Sequence, residues 1–417
     1  MRRKANSRLR QGNTLSLSFF PDLSRRMLPS AMIVLLLGAL FLPFNAAAQK
    51  DFESFQQEQK QSLEEFIQEQ KEAFEEYSQK IRAAFSEYRA KAAAVWGKNK
   101  AFVPSKKEWV SYREEMSKRY SVNFKKGNAR YEIALKPGKK KISEAVKSSL
   151  ADTIVKSITQ GPDQRSIEEI AANPGKIEPG GTPLLSGLFA FRSGEPVTVD
   201  NARRFAREKV ETHIEKSKVE GEDGEKRVVA SVKIPMIPDH LKKRAKKYEG
   251  IVKNQAERRS LEPELVFAII ETESYFNPQA RSPVPAFGLM QLVPVSGGKE
   301  AYQMVYGENK QPSEEFLYQP KENVILGSAY FHRLYFRYMD GIKDERSRLW
   351  CSIASYNTGP SNLYDTFSKR SKSEAIKRIN SMSSEEVFSY LVKNLPYKET
   401  RNYIQKVRKK IPKYQRL

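Results

Sequence analysis

Glu271 and Glu273 stand two residues apart at the end of the run Pro263-Glu264-Leu265-Val266-Phe267-Ala268-Ile269-Ile270, and their spacing separates their roles. Pro263 suits a first helical position, where its missing N–H costs nothing, and Glu264 suits the positive end of the helix dipole. At about 100° per residue, Val266, Ile269, Ile270 and Glu273 share one stripe, and Glu271 turns roughly to the opposite side. A carboxyl group that ends an apolar stripe resists ionisation, so its pKa rises toward the range where it donates a proton at neutral pH. That is the profile of a general acid for glycosidic-bond cleavage. The plainer reading is a helix-end glutamate that reaches water, as most helical glutamates do. Glu271, facing away, is expected to accept Glu271→Gln at little cost to turnover.

Cleavage of this kind usually takes two carboxylates flanking the bond, one as acid and one as nucleophile or base. Around Glu273 the sequence offers one convincing acid and no obvious second group. The surrounding words narrow the chemistry further. Ser274-Tyr275-Phe276-Asn277-Pro278 follows the glutamate, then Gly288-Leu289-Met290-Gln291, Glu322 to Tyr330, Ser355-Tyr356-Asn357-Thr358-Gly359, and Pro396 to Tyr403. In this order over the last part of the chain they resemble the soluble lytic transglycosylase catalytic domain. Upstream, Val95-Trp96-Gly97-Lys98-Asn99, Asn123 to Gly127 and Ile234 to Tyr248 resemble the amino-terminal domain of the membrane-bound lytic murein transglycosylase C family.

The resemblance implies a lysozyme-like catalytic fold and a peptidoglycan lytic transglycosylase. It implies that Glu273 protonates the oxygen between N-acetylmuramic acid and N-acetylglucosamine, then deprotonates the muramoyl C6 hydroxyl to leave a 1,6-anhydro end. It further implies that Tyr356 hydrogen-bonds Glu273, that Ser274, Met290, Gln291 and Asn357 line the sugar cleft, and that Tyr403 closes one wall. Gly288 would permit close backbone approach. Pro285, Phe287 and Thr358 depart from the family pattern and are expected to reshape the cleft rim. A non-catalytic glycan-binding scaffold of the same fold is the main competing reading, and the intact Glu273, Ser274, Gln291, Tyr356 and Asn357 argue against it.

Bulk properties fit an exported, water-soluble enzyme. The chain has 417 residues, 39% hydrophobic and 29% charged, which suffices for two domains with real cores. Its formal net charge is +23, of which the first 48 residues supply +6, leaving +17 for the remainder. Such a balance suits an anionic polymer such as peptidoglycan with its acidic stem peptides, or is simply a solvated basic surface. A nucleic-acid partner is not expected, because the aromatics form a helical stripe rather than a stacking platform. One cysteine, Cys351, allows no internal disulfide, and His213, His240 and His332 show no ligand spacing, so neither metal nor cofactor is expected.

The amino terminus reads as an address. Seven basic residues precede the apolar run Ala31 to Phe44 and then Ala46-Ala47-Ala48, so residues 1–48 are expected to be a signal peptide cleaved near Ala48. No cysteine stands near that site to be lipidated, so a periplasmic protein without a lipid anchor is expected, at most peripheral to the membrane. Residues 49–97 carry an 11-residue repeat, with Phe52, Leu63, Phe74, Phe85 and Trp96 in one register and Phe55, Phe66, Tyr77 and Tyr88 in another. This predicts one long helix whose stripe packs on its own domain, mediates self-association through 52–96, or lies on a membrane.

Residues 98–238 predict a small α+β domain. Its hairpin turns at Lys126-Gly127-Asn128, a strand runs through Val228 to Ile234, and helices fall near 141–158 and 200–217. Asn173 to Gly181 reads as a loop. Asp239 is expected to cap a helix running to Arg259, and residues 239–417 read as the mostly helical catalytic domain. The fold class is therefore α+β: a long N-terminal helix, a small α+β domain and a helical, lysozyme-like domain.

Overall fold

Alternating sequence between Glu108 and Pro235 builds one antiparallel sheet from β1 (Glu108–Arg113), β2 (Lys118–Asn123), β3 (Asn128–Ala134), β4 (Ile214–Glu220) and β5 (Lys226–Pro235). Its order is β1-β2-β3-β5-β4. The computed structural model describes residues 46–415 of this α+β protein. The chain divides at Ile67/Gln68, and the sheet and every helix after it belong to the second unit.

The predicted hairpin forms, with Tyr120 opposite Tyr131 and Val122 opposite Ala129. Gly127 takes a φ of 65°, and a Cβ there would strike the His240 ring, so the turn requires glycine on two counts. Strand alternation sends side chains to two cores. On one face Tyr131, Val232 and Ile234 pack with Leu150, Ile154, Phe205 and Val210 from the helices Glu144–Thr159 and Ala202–His213. On the other, Tyr112 and Val229 pack with Phe85, Tyr88 and Trp96 of the long helix and with Phe287, Leu317 and Tyr318 of the helical half.

The long helix runs Ala46–Trp96 without a break, as its repeat predicts. Phe85, Tyr88 and Trp96 are buried, while Phe74 and Tyr77 are half-buried. The side chains of Phe52, Phe55, Leu63 and Phe66, and the expected signal segment up to residue 45, lie outside the described residues. Asn173 to Gly181 is a loop apart from one bridge residue, Pro179. Beyond residue 239 the described chain is almost wholly helical, and Cys351 is buried there.

Three local expectations need correction. The helix expected over 200–217 stops at His213, and Ile214–Glu220 becomes edge strand β4 on β5. This charged stretch has no apolar stripe to hold a helix, and pairing with β5 decides its state. The helix expected from Asp239 to Arg259 is two, His240–Lys247 and Glu249–Arg258. Tyr248 breaks between them (φ −106°, ψ 6°), its buried ring stacking on Phe276 at 6.4 Å. Asp239 makes no side-chain cap bond.

Candidate active site

The helix Pro263–Glu273 starts on Pro263 and buries Val266, Ile269 and Ile270 along with Glu273. Directly after it, Tyr275 and Phe276 adopt φ of 53° and 59°, left-handed backbone that costs a non-glycine roughly 1–2 kcal/mol per residue. Packing and one arginine hold the turn. Arg244, on the helix His240–Lys247, donates to the Tyr275 carbonyl and, at 2.8 Å, to the Phe124 carbonyl after β2. Its guanidinium lies over the Phe124 ring at 5.0 Å, and Phe276 sits against Tyr248 and Phe267. The sheet half is thus clamped two residues from Glu273.

Glu273 is only 4% exposed. Burial pushes its carboxyl above the ordinary value; Lys106 and Tyr403 pull the other way without cancelling the rise, and Glu399 adds to it. Lys106, in the loop before β1, places Nζ 3.4 Å from Glu273 Oε2 and 3.6 Å from Glu399 Oε1. Tyr403, on the C-terminal helix Lys398–Tyr414, faces the carboxyl closely enough to act on it. Its buried hydroxyl nevertheless makes no well-aligned hydrogen bond among the described residues, so it stands as an uncommitted donor.

The other sequence-predicted residues sort into wall and support. Tyr356 does not bond Glu273, a correction to its expected role. Its hydroxyl donates to the Met290 carbonyl at 2.8 Å, which ties helix Glu345–Thr358 to the Gly288–Gln291 turn. Ser274 is fully buried and its hydroxyl returns to the Ile270 carbonyl at 3.0 Å. The Met290 side chain is likewise fully buried, against Gly327. Gln291 (φ 51°) donates to the carbonyls of Ala280 and Gly288 at 3.1 and 3.0 Å and keeps a buried, unpartnered Oε1. Asn357 is half-buried at the end of its helix.

Asn323 organises this turn, a role the sequence reading did not give it. It accepts from Met290 N at 2.7 Å and donates to the carbonyls of Phe287 and Leu317 at 2.9 and 2.8 Å. Gly288 (φ 77°) is needed because a Cβ would come within 2.2 Å of both Asn323 Nδ2 and the Leu317 carbonyl, an internal constraint rather than a sugar contact. Phe287 and Pro285, expected at the rim, are buried, Phe287 edge-on to Tyr318 at 5.9 Å. Pro283 and Val284 are the exposed residues there, Val284 at 51%.

Glu271 takes a structural place that the sequence reading did not give it. It does face away from Glu273's side, but it is 5% exposed and receives Lys413 Nζ at 2.8 Å, Lys410 Nζ at 3.5 Å and the Tyr414 hydroxyl. Burial opposes its charge, yet those partners together hold its carboxyl below the ordinary value. A second buried carboxyl with a raised pKa, Glu314, is pushed up to about 7 by burial. It accepts from Tyr318 at 3.1 Å and from Tyr77 of the long helix at 3.4 Å.

Lys106, Glu399, Arg244 and Asn323 were missed as site residues. Glu399 and Asn323 lie inside motif stretches, and Glu399 precedes Tyr403 by one helical turn, so spacing could have flagged it. Arg244 also lies inside such a stretch, Ile234 to Tyr248, as one basic residue among several, and Lys106 carries no local signal.

Comparison with known proteins now bears on this geometry. Residues 250–379 match the model of the transglycosylase SLT domain. Residues 69–247 match that of the membrane-bound lytic murein transglycosylase C N-terminal domain. Membrane-bound lytic murein transglycosylase C of Yersinia enterocolitica is 31% identical over 77% of this chain and 86% of its own length. The Cronobacter sakazakii protein of the same name is 32% identical over 75% and 83%. Among solved structures, the 70 kDa soluble lytic transglycosylase of Escherichia coli aligns at 25% identity with a TM-score of 0.31, covering 40% of this chain and 24% of that one.

Proposed function

This chain belongs to the membrane-bound lytic murein transglycosylase C family, and from that premise we propose that one carboxyl group, Glu273, carries its reaction from start to finish. The protein is a lytic transglycosylase acting on peptidoglycan. The observation that carries the single-residue reading is the environment of Glu273: a buried carboxyl with a raised pKa and no equally placed partner. Glu271 is committed to the C-terminal helix, and Glu399 is 74% exposed and shares Lys106. A carboxyl that stays protonated can give its proton to the glycosidic oxygen between N-acetylmuramic acid and N-acetylglucosamine. The resulting carboxylate then takes the proton of the muramoyl C6 hydroxyl, which closes a 1,6-anhydro ring without water. Tyr403 and Gln291 offer uncommitted polar atoms beside the site, and Asn357 a half-buried side chain; in this reading all three contact sugar. Ser274, Met290 and Tyr356 shape the wall from behind.

Mass spectrometry of the muropeptides released from purified sacculi tests this. Anhydromuramoyl ends are expected as the main product; reducing-end muramic acid would make water the acceptor and reject the transfer step. The remaining expectations join the same reading: residues 1–48 act as a signal peptide, the mature protein works in the periplasm without a lipid anchor, and 98–238 and 239–417 act as N-terminal and catalytic domains. Among the described residues no helix is long and apolar enough to cross a membrane. Recovery of the protein in the membrane fraction after a salt wash, with residues 31–44 retained, would reject the periplasmic placement.

A further inference from the structure

Lys106 comes to Glu273 from 167 residues upstream, out of the sheet half of the molecule. Its backbone is pinned. Ser105 Oγ accepts from Lys107 N at 3.3 Å and Glu108 N at 3.1 Å, and Phe124 N donates to the Lys107 carbonyl at 2.9 Å. The ammonium then stands between two carboxylates, 3.4 Å from one and 3.6 Å from the other. Neither distance is the roughly 2.7–2.9 Å of a committed charge-assisted bond. One cation is shared by a buried carboxyl group and an exposed one.

We propose that Lys106 is a positioning residue of the active site, passed between Glu273 and Glu399 so that it controls when Glu273 holds its proton. This rests on the acid/base role of Glu273 proposed above. While Glu273 is protonated it offers no charge to pair, and the ammonium leans outward to Glu399. Once that proton has gone to the leaving-group oxygen, Glu273 is an anion in a site with little water. Lys106 then leans inward and stabilises it. The C6 hydroxyl proton restores the acid as the ring closes, so the proton count balances and Lys106 keeps its own protons throughout. Its pKa direction agrees: burial lowers it, but Glu273 and Glu399 together raise it above the ordinary lysine value.

The groups facing this pair are few. Glu273 meets Lys106 from the loop before β1, Tyr403 and Glu399 from the C-terminal helix, and Tyr356 from helix Glu345–Thr358; burial holds both phenols well above their ordinary range. On the outer side Lys107 is crowded by Lys125, Lys406 and Lys106 itself.

The test is the alkaline limb of kcat/KM, read from first-order cleavage of soluble uncrosslinked peptidoglycan strands at low concentration. Lys106→Met is expected to move that limb to higher pH by about one unit or more, because an opposite charge at this range has been removed. Lys106→Arg should restore it, and Glu399→Gln should move it to lower pH. In a Lys106→Met background the Glu399→Gln shift should shrink to the smaller part due to Glu399's own charge, since Glu399 then has no cation to draw away. Melting temperatures should match the parent near pH 4, where Glu273 holds its proton in both folded and unfolded chains; at higher pH Lys106→Met should melt lower, because the ionised carboxyl has lost its cation. A limb that stays in place in Lys106→Met, or a Glu399→Gln shift of undiminished size in the double variant, overturns the proposal. Glu273→Gln run alongside separates the two layers: if it still cleaves, the acid/base reading falls; if it is inactive and Lys106→Met leaves the limb unmoved, only the shared-lysine proposal falls.

Discussion

Glu271 and Glu273 occupy opposite sides of one helix end, both about 95% hidden from water, and they end in opposite electrostatic states. On the Glu271 side the C-terminal helix brings two ammonium groups and a phenol, and the carboxyl is held below its ordinary pKa. On the Glu273 side one lysine stands at 3.4 Å, divided with another acid, and the carboxyl is pushed up. Burial is common to both, so burial does not decide the outcome. The count and commitment of partners does. One face of the helix is a structural anchor, and the other is, in the function proposed here, the proton donor.

The largest expected effect separates the two faces by activity. Glu273→Gln keeps the shape and removes the transferable proton, so peptidoglycan cleavage should fall by about 10²–10⁴-fold. Glu271→Gln should leave turnover of the folded enzyme within a few-fold. Soluble muropeptide release measures both. Equal losses would erase the distinction between the faces.

The next effect concerns the clamp that holds the donor face. Arg244 is buried and donates to carbonyls on both halves of the molecule. Arg244→Met should destabilise by about 2–3 kcal/mol, the range for losing charged hydrogen bonds and stranding their acceptors. If denaturant midpoints for Arg244→Met equal those of the parent, the strained turn at Tyr275-Phe276 is held by packing alone.

The sequence made the donor face legible because its signal is local: a period of 3.6, a proline start and a motif that continues past the glutamate. The hairpin at Gly127, the strand ending at Pro235 and the long helix were legible for the same reason. Lys106 and Arg244 were not, since one of two adjacent lysines before a strand and one arginine in a basic helix look like solvated charge until the halves are docked. Tyr356 and Tyr403 were both named, yet their parts were exchanged: Tyr356 braces the Met290 carbonyl and Tyr403 faces the acid. A motif says which residues gather, but hydrogen-bond direction is set by where their helices sit. Ile214–Glu220 failed for the opposite reason, its local pattern being neutral between helix and strand until β5 paired with it.

On the anchor face, Glu271→Gln should cost about 2 kcal/mol at neutral pH, because Lys410 and Lys413 lose a charged acceptor. The pH dependence follows from the sign of the shift. A carboxyl depressed in the fold contributes stability that is present above its unfolded value, about 4.3, and lost as pH falls through the folded value. The gap between parent and Glu271→Gln should therefore narrow below about pH 4. A gap of constant size down to the acid transition would mean that lost packing, not lost charge, explains the cost.

The smallest effect is on the donor face and has the opposite sign. Glu273 is raised in the fold, so its ionised form is disfavoured there relative to the unfolded chain. Below the unfolded value both states hold the proton and nothing is lost. As pH climbs from there through the folded value, the unfolded state releases its proton first and folding becomes less favourable. Glu273→Gln has no proton to lose, so it should match the parent near pH 4 and become the more stable of the two as pH rises, by no more than about 1 kcal/mol. Lys106 limits the gain by offsetting part of the cost when the carboxyl is charged. Paired thermal melts at pH 4 and pH 8 read the difference directly. A variant less stable than the parent at pH 8 would show that Lys106 over-compensates the buried charge, and that the donor face is an anchor after all.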